Sequence, residues 1–209
     1  MLYAGLDLGQ RQDFSALAIV QRRERAAFDT HYGAYRDNRA TEPLAVRYLE
    51  RMKLGTPYVD VVRRVAAVLH QPALAGKKRL AVDATGVGMP VVEMLVAAGP
   101  GCEVIPVMMT GGVAEHTDGR LWHVPKLDLM AGLQGLLERK ELGIARGMRW
   151  ADMLVKELMN VKVGMRESGR VRVGAEGGGE HDDLVIAVAL ACWSARRMAA
   201  REKGQRLFW

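Results

Sequence analysis

The fold is decided by an eight-residue stretch near the start of the chain, Leu2-Tyr3-Ala4-Gly5-Leu6-Asp7-Leu8-Gly9. Its apolar side chains alternate with a period of two, which predicts a buried strand. Asp7 lies on the other face of this strand, with a glycine two residues away on each side. A buried carboxylate is costly unless a cation, a metal or a hydrogen-bond donor pairs with it. Because Gly5 and Gly9 lack side chains, we expect room beside Asp7 for a metal ion and a phosphate chain.

The composition is that of a basic globular protein. The 209 residues are enough for one domain with a substantial core. The formal charge of +6 favours an acidic partner such as nucleic acid. The most apolar stretch starts at Leu184 and covers about 12 residues, fewer than the roughly 20 that cross a bilayer, so we expect no membrane partner.

The order of the predicted elements indicates a mixed α/β sheet of five or more strands with helices on both faces. A meander of three antiparallel strands is predicted at residues 2–9, 14–20 and 27–35, followed by a short helix within residues 43–53. Buried strands are then predicted at residues 80–83 and 102–108. They alternate with a helix after Pro57 and a helix that begins near Pro90.

The second half of the chain continues this alternation. Residues 110–123 are predicted to form a polar loop, and helices are predicted at residues 125–140 and 150–159, with a short strand between them. The remaining predicted elements are a hairpin (residues 161–165 and 170–173), an apolar helix (residues 184–193) and a frayed basic end after Arg196. We therefore predict one domain over residues 1–197 and a basic tail over residues 198–209.

Acidic residues lie at the ends of three apolar elements. Asp7 is in the first strand, Asp83 ends the fourth, and the Asp182–Asp183 pair precedes the last helix. Ligands of open α/β sheets bind at such ends, so these carboxylates are expected to converge. Clustered carboxylates repel one another unless a cation neutralises them, and hard oxygen ligands favour Mg²⁺ or Mn²⁺. Two such ions about 4 Å apart would activate water and stabilise the leaving oxygen in phosphodiester cleavage.

Each of these acids also has a structural interpretation. Asp7 could pair with a buried arginine, and Asp83 could form an Asx turn. Asp182 and Asp183 could cap the last helix. We expect one member of this pair to bind metal, with Asp182 favoured, and the other to cap the helix or to reach a second ion.

Two further polar residues flank the acids. His181 is a candidate for orienting a carboxylate or a water, although a polar contact at the helix entrance is the commoner role of such a histidine. Asp13 is interpreted as a cap of the first turn rather than as a catalytic residue.

Basic residues around the predicted hairpin favour contact with a DNA backbone. The candidates are Lys162, Arg166, Arg170 and Arg172. Lys126, at the start of its helix, is a candidate to contact either a phosphate or the acidic residues. No set of residues suggests base readout, so low sequence specificity is expected.

Three motifs in this order resemble a known family. G-L-D-L-G at residues 5–9 precedes an apolar hairpin, V-D-A-T-G-V-G follows at residues 82–88, and H-D-D at residues 181–183 precedes an alanine-rich helix. V-P-K at residues 124–126 and the leucine-rich helix after it also match. From residue 1 to about residue 197, the chain resembles the nuclease domain of phage terminase large subunits, in the RNase H-like (retroviral integrase-like) superfamily.

The resemblance implies an RNase H-like fold and a two-ion Mg²⁺ or Mn²⁺ site at Asp7, Asp83, Asp182 and Asp183. It implies an endonuclease that cleaves double-stranded viral DNA concatemers during genome packaging. Its expected partners are DNA, an ATPase domain, a portal and a small terminase subunit. The expected location is the cytoplasm of the bacterial host cell, and the isolated domain is expected to be monomeric.

One departure and three alternatives accompany this resemblance. The phosphate-loop motif G-x-x-x-x-G-K-[ST] is missing from the sequence. The chain is therefore interpreted either as a nuclease domain excised from a longer subunit or as a stand-alone relative, and it is not expected to drive DNA translocation alone. The alternatives are a Holliday-junction resolvase of the same superfamily, a non-cleaving DNA-binding or packaging-motor module and, least favoured, a sugar-kinase or actin-like ATPase.

Overall fold

An eight-stranded mixed sheet forms the centre of the computed structural model. The described residues are 1–9, 13–22, 44–86, 88–165, 171–175 and 181–205, and side chains are described in these ranges except at residues 162–165, 171–175 and 199–205. The strands of the sheet are β1 (Leu2–Asp7), β2 (Ala16–Arg22), β3 (Leu44–Arg51), β4 (Lys78–Asp83), β5 (Glu103–Thr110), β6 (His116–Asp118), β7 (Leu121–Pro125) and β8 (Leu142–Ile144).

The strand order in the sheet is β6-β7-β5-β4-β1-β2-β3-β8. Strands β1, β2 and β3 form an antiparallel meander, whereas β4 runs parallel to β1 on its other side. Strands β5 and β7 continue the parallel part of the sheet. β1 therefore lies in the interior of the sheet, and all six of its residues are buried. The predicted fold class is confirmed.

Helices cover both faces of the sheet. They are α1 (Tyr58–Leu69), α2 (Gly88–Ala97), α3 (Lys126–Glu138), α4 (Ala151–Asn160) and α5 (Asp183–Gln205). The residues of β1 divide between two cores: Leu2, Ala4 and Leu6 pack with α1 and α2, while Tyr3 packs with α3, α4 and α5. Among the described residues, no helix is both long and apolar enough to cross a membrane.

The predicted hairpin near the end of the chain is present. Its strands are β9 (Val161–Met165) and β10 (Val171–Ala175), which pair antiparallel apart from the large sheet. The loop between them, residues 166–170, lies outside the described residues.

The third strand of the meander is β3, so the short helix predicted within residues 43–53 is wrong. The strand predicted at residues 27–35 lies outside the described residues. The register between β2 and β3 shifts after Ile19, which makes Arg47 an extra residue in a β-bulge. The bulge puts Val46 and Leu49 in the same core although they are three residues apart. That spacing is typical of a helix, which explains the error.

The polar loop predicted over residues 110–123 is also wrong, because it contains β6 and β7. β7 pairs parallel to β5, and β6 pairs antiparallel to β7 after a turn at Gly119, whose φ is +59°. Every residue of β6 is exposed. Because an exposed edge strand needs no apolar alternation, the sequence pattern carries no strand signal here.

The last helix is longer than its apolar segment. Residues 183–195 are all buried, and the helix continues to Gln205, past Arg196, where fraying was expected. The predicted boundary at residue 197 falls within this helix. The division into a domain and a tail stays a prediction, and residues 206–209 lie outside the described residues.

Gly5 allows α5 to cross β1 at backbone contact. A Cβ atom on Gly5 would lie 2.0 Å from the carbonyl oxygen of Ala187 and 2.7 Å from the amide nitrogen of Ala191. The space beside the strand is therefore filled by the last helix. The expectation that Gly5 leaves room for a bound partner is wrong, because the bulky neighbour belongs to the same chain.

A side chain at Gly5 should prevent this packing. We expect Gly5→Val to lower the free energy of unfolding by at least about 3 kcal/mol, or to abolish folding, because neither backbone can move away cheaply. Urea denaturation followed by circular dichroism measures the effect. The matched control is Gly143→Ala on β8, where the nearest atom to an added Cβ is the Leu44 carbonyl oxygen at 3.8 Å. A Gly5→Val protein as stable as this control would contradict the packing.

Candidate functional site

Asp7 and Asp83 lie side by side at the ends of neighbouring strands. The parallel register pairs Leu6 of β1 with Val82 of β4, so the next residue on each strand is an acid. The two residues are 9% and 8% exposed, and each carboxyl group influences the pKa of the other. The backbone N–H of Thr85 donates to Asp83 Oδ1 at 2.9 Å, so the Asx turn that was the alternative role of Asp83 is also present.

The start of α5 brings two more acids to this place, because Asp183 is its first residue and Asp182 immediately precedes it. Asp83, Asp183 and Asp182 all interact electrostatically with Asp7. Asp183 is 3% exposed, whereas Asp182 is half-buried. The structure thus brings together the three acidic sites that the sequence singled out.

Burial and mutual repulsion disfavour ionisation in this cluster. Burial is the largest cause that raises the pKa of Asp7 well above its ordinary value, and the charges of Asp83, Asp183 and Asp182 raise it further. Burial also raises the pKa values of Asp83 and Asp183. Oxygen donors in such a cluster suit a hard divalent cation, which would neutralise the carboxylates. The acids therefore fit a Mg²⁺ or Mn²⁺ site by their chemistry.

Lys126 supplies a positive charge at the edge of this cluster. It is the first residue of α3, and its Nζ donates to Asp182 Oδ2 at 2.9 Å. Its charge lowers the pKa values of Asp7 and Asp83. Of the two contacts predicted for Lys126, the structure contains the one to an acidic residue, and its contact with DNA stays a prediction.

Arg51 and Glu157 were missed by the sequence analysis, yet both contact the start of α5. Arg51 Nη2 lies 2.8 Å from Asp183 Oδ2 and 2.9 Å from Glu157 Oε1, and these three side chains are at most 7% exposed. Glu157 Oε2 accepts the backbone N–H groups of Leu184 at 3.0 Å and Val185 at 3.2 Å. Glu157 of α4 thus accepts hydrogen bonds from two backbone N–H groups at the start of α5. Asp182 or Asp183 was expected to cap N–H groups of this kind.

These two residues carried no signal in the sequence. In the sequence, Glu157 cannot be distinguished from a solvent-facing acid of an amphipathic helix. Arg51 ends a strand whose β-bulge gives it the apolar spacing of a helix. Burial raises the pKa of Glu157 to about 7, although Arg51 and the two N–H groups act in the opposite direction. Tertiary packing places both residues at the start of α5: α4 packs against α5, and Arg51 at the end of β3 forms an ion pair with Glu157.

Asp13 lies close to Asp183, and one carboxylate oxygen of each lies within 4.8 Å of the other. Gly9 lies against the backbone of residues 13 and 14, since a Cβ on Gly9 would meet the carbonyl oxygen of Asp13 at 2.2 Å and the carbonyl carbon of Phe14 at 2.3 Å. The Gly9 N–H also donates to Ser15 Oγ at 3.2 Å. As at Gly5, the missing side chain makes room for the protein's own backbone, so the expected ligand space is absent at Gly9.

Several solved protein structures are similar to this chain. The chain is similar to the large terminase nuclease from thermophilic phage G20c, with 25% identity and a TM-score of 0.63 over 91% of this chain and 80% of that chain. For the magnesium-bound structure of the same nuclease, the identity is 26% and the TM-score 0.61 over 92% and 80% of the two chains. This chain has the RNase H-like fold of the large terminase nucleases.

More distant terminases share the same fold. The manganese-soaked nuclease domain of the human cytomegalovirus terminase matches 92% of this chain and 81% of its own, with 15% identity and a TM-score of 0.54. No protein-family model and no curated protein matches the chain. The resemblance drawn from the three motifs is confirmed by these terminase structures.

The basic residues of the hairpin are placed only in part. Lys162 lies on β9 and Arg172 on β10 of this terminase-like chain, and the register pairs them with Gly174 and Gly164. Arg166 and Arg170 lie outside the described residues. Contact of these four residues with DNA stays a prediction.

Loss of the Glu157 carboxylate should loosen the start of α5. We expect Glu157→Ala to lower the free energy of unfolding by about 3 kcal/mol, because Arg51 and two buried N–H groups lose their partner. Urea denaturation checks this. Lys156→Ala, at an exposed position of the same helix, is the control and should change stability by less than about 0.5 kcal/mol. Equal losses in both variants would contradict the capping role.

Asp7 should make stability depend on pH in metal-free buffer. Its pKa is higher in the folded than in the unfolded chain, so folding is favoured most below its ordinary pKa and loses this advantage as pH rises through the folded pKa. Asp7→Asn should therefore raise the Tm at pH 8 by about 3 °C or more, and the gain should shrink towards pH 4. Thermal melts in chelator test this, with the exposed Asp118→Asn as control. A Tm difference between Asp7→Asn and the wild type that does not change with pH would contradict the raised pKa of Asp7.

Proposed function

We propose that this chain is a divalent-metal-dependent endonuclease that cleaves double-stranded viral DNA concatemers during genome packaging, with low sequence specificity. The observation that carries the proposal is the convergence of Asp7, Asp83 and the Asp182–Asp183 pair in one largely buried cluster. The magnesium-bound phage nuclease and the manganese-soaked cytomegalovirus domain support the choice of Mg²⁺ or Mn²⁺ as cofactor, and we propose two ions.

In this proposal Asp7, Asp83, Asp182 and Asp183 hold the two ions. The sequence favoured Asp182 as the metal ligand of the pair, whereas the burial of Asp183 and the ion pair between Asp182 and Lys126 favour Asp183. When bound, the two ions would activate a water and stabilise the leaving oxygen of the phosphodiester. The protein's own contribution is to hold the carboxylates in place before metal arrives. The neighbouring strands fix Asp7 and Asp83, while the ion pair with Arg51 fixes Asp183.

The partners and the location belong to the same proposal. The DNA backbone would be contacted by Lys126 and by the basic hairpin residues, which are Lys162, Arg166, Arg170 and Arg172. An ATPase domain, a portal and a small terminase subunit would supply translocation and docking in the cytoplasm of the bacterial host cell. The isolated domain is expected to be a monomer.

The nuclease activity should depend on the strand acids. We expect Asp7→Asn and Asp83→Asn each to lower plasmid nicking in Mn²⁺ by at least roughly 100-fold, because loss of a ligand costs more than loss of an outer-shell partner, which costs about 10–100-fold. Gel assays of supercoiled plasmid measure this. The control is Asp152→Asn, an exposed acid on α4, which should cleave like the wild type.

Three outcomes would contradict the proposal. Unchanged plasmid nicking by both Asp7→Asn and Asp83→Asn would show that these two acids take no part in the cleavage reaction. A strong preference for four-way junctions over linear duplex would favour a Holliday-junction resolvase. Salt-sensitive DNA binding without cleavage in any divalent metal would indicate a binding or packaging-motor module.

A further inference from the structure

Two histidines face each other across the hairpin that β6 and β7 form. The antiparallel register pairs His116 directly with His123. Their imidazole rings are stacked, with centroids 4.5 Å apart and an angle of 1° between the planes. His116 is exposed and His123 is half-buried. Neither imidazole forms a hydrogen bond or an ion pair within the described part of the chain, so the ring nitrogens are open to a ligand from solution.

The hairpin holds this pair of rings at a fixed separation. Residues 119 and 120 form the turn, in which Gly119 adopts a φ of +59°. The Thr117 hydroxyl lies 3.1 Å from the carbonyl oxygens of both Gly119 and Leu121, so its one proton donates within the turn. On its other edge β7 pairs with β5. Residues directly opposite each other in such a pair keep their Cβ atoms about 4.5–5.5 Å apart.

This separation suits chelation of one metal ion by both rings. Each neutral imidazole has one nitrogen that carries a free lone pair. An ion with metal–nitrogen bonds of about 2.0–2.1 Å needs its two nitrogens roughly 3–4 Å apart. Rings stacked at 4.5 Å reach that separation by a small rotation about χ2, which has a broad energy minimum in histidine. The strand pairing therefore preorganises a two-nitrogen chelate.

The donor types favour a late transition metal. Imidazole nitrogen suits Zn²⁺, Cu²⁺ and Ni²⁺, whereas Mg²⁺ prefers oxygen donors. Met108 of β5 is opposite His123 in the parallel register, so its thioether extends from the same face of the sheet. Thioether sulfur is a soft donor that favours copper. His116, His123 and Met108 thus form a row of nitrogen and sulfur donors across three neighbouring strands.

The row lies on the opposite face of the sheet from the acid cluster. Trp122 and Val124, on either side of His123, pack in the core beneath α5. Because side chains alternate along a strand, His123 belongs to the other face. Asp7 is four residues after Tyr3, which packs in the α5 core, so Asp7 belongs to the α5 face. The sheet itself therefore separates the histidine pair from Asp7.

We propose that His116 and His123 chelate one late first-row transition-metal ion, with Cu²⁺ bound more tightly than Ni²⁺ or Zn²⁺. Such an ion would join the exposed edge strand β6 to β7 and leave its remaining positions to water. This site goes beyond the proposed nuclease function, because its occupancy requires none of the four acids.

The test measures metal binding on the whole chain. Pulsed electron paramagnetic resonance of bound Cu²⁺ counts the coordinated imidazoles, and we expect two on one ion. His116→Ala and His123→Ala should each abolish the two-imidazole signal. Each should also weaken Cu²⁺ binding at this site by at least roughly tenfold in isothermal titration, because loss of a ligand costs more than loss of an outer-shell partner. The affinity for Mg²⁺ should stay unchanged in both variants.

Two further variants separate this site from other metal positions. His70→Ala is the matched control, because His70 is an exposed histidine that only contacts its own helix through the Ala66 carbonyl, and it should keep the two-imidazole signal. Asp7→Asn should lose DNA cleavage under the proposed function and still keep that signal.

Three results would overturn the inference. One is a wild-type Cu²⁺ complex with fewer than two imidazoles. Another is retention of the two-imidazole signal in His116→Ala or in His123→Ala. The third is that each single variant loses one equivalent of Cu²⁺ while the other equivalent keeps its affinity, which would mean that the two histidines bind separate ions.

Discussion

The close packing of α5 on β1 at Gly5 is the contact on which the rest of the structure depends. Since the helix backbone touches the strand backbone there, the start of α5 lies at the end of β1, where Asp7 is found. The parallel pairing with β4 adds Asp83 from the other side. A side chain at Gly5 would separate the helix from the strand, and the Asp182–Asp183 pair would move away from the strand acids. The same contact that builds the core thus assembles the candidate metal centre.

Bringing these acids together costs electrostatic free energy, and nearby cationic side chains offset part of this cost. Burial and repulsion raise the pKa values of Asp7, Asp83 and Asp183. The charge of Lys126 lowers the pKa values of Asp7 and Asp83, and Arg51 lowers the pKa of Asp183 through its hydrogen bond and its charge. The repulsion that these cations do not neutralise favours binding of a divalent ion. Metal binding is therefore expected to stabilise the folded protein.

Part of this arrangement followed from sequence pattern. The period-two alternation of residues 2–9 and the short apolar run that ends at Asp83 identified the two strands and their acids. The H-D-D motif before an apolar helix identified the third acidic site. Predictions from local sequence pattern were wrong where the backbone is irregular or where a strand is exposed. The β-bulge at Arg47 gives β3 the apolar spacing of a helix, and the exposed residues of β6 show no apolar alternation.

The sequence by itself determined β1, β4 and the last helix, together with the carboxylates that they carry, because strand periodicity and apolar runs are local properties. Tertiary structure alone decided what lies beside those carboxylates. It filled the spaces at Gly5 and Gly9 with backbone rather than ligand, and it brought Arg51 and Glu157 to the first turn of α5. Contacts between residues more than a hundred positions apart, such as Arg51 with Asp183, depend on how sheet and helices pack, which no local spacing encodes.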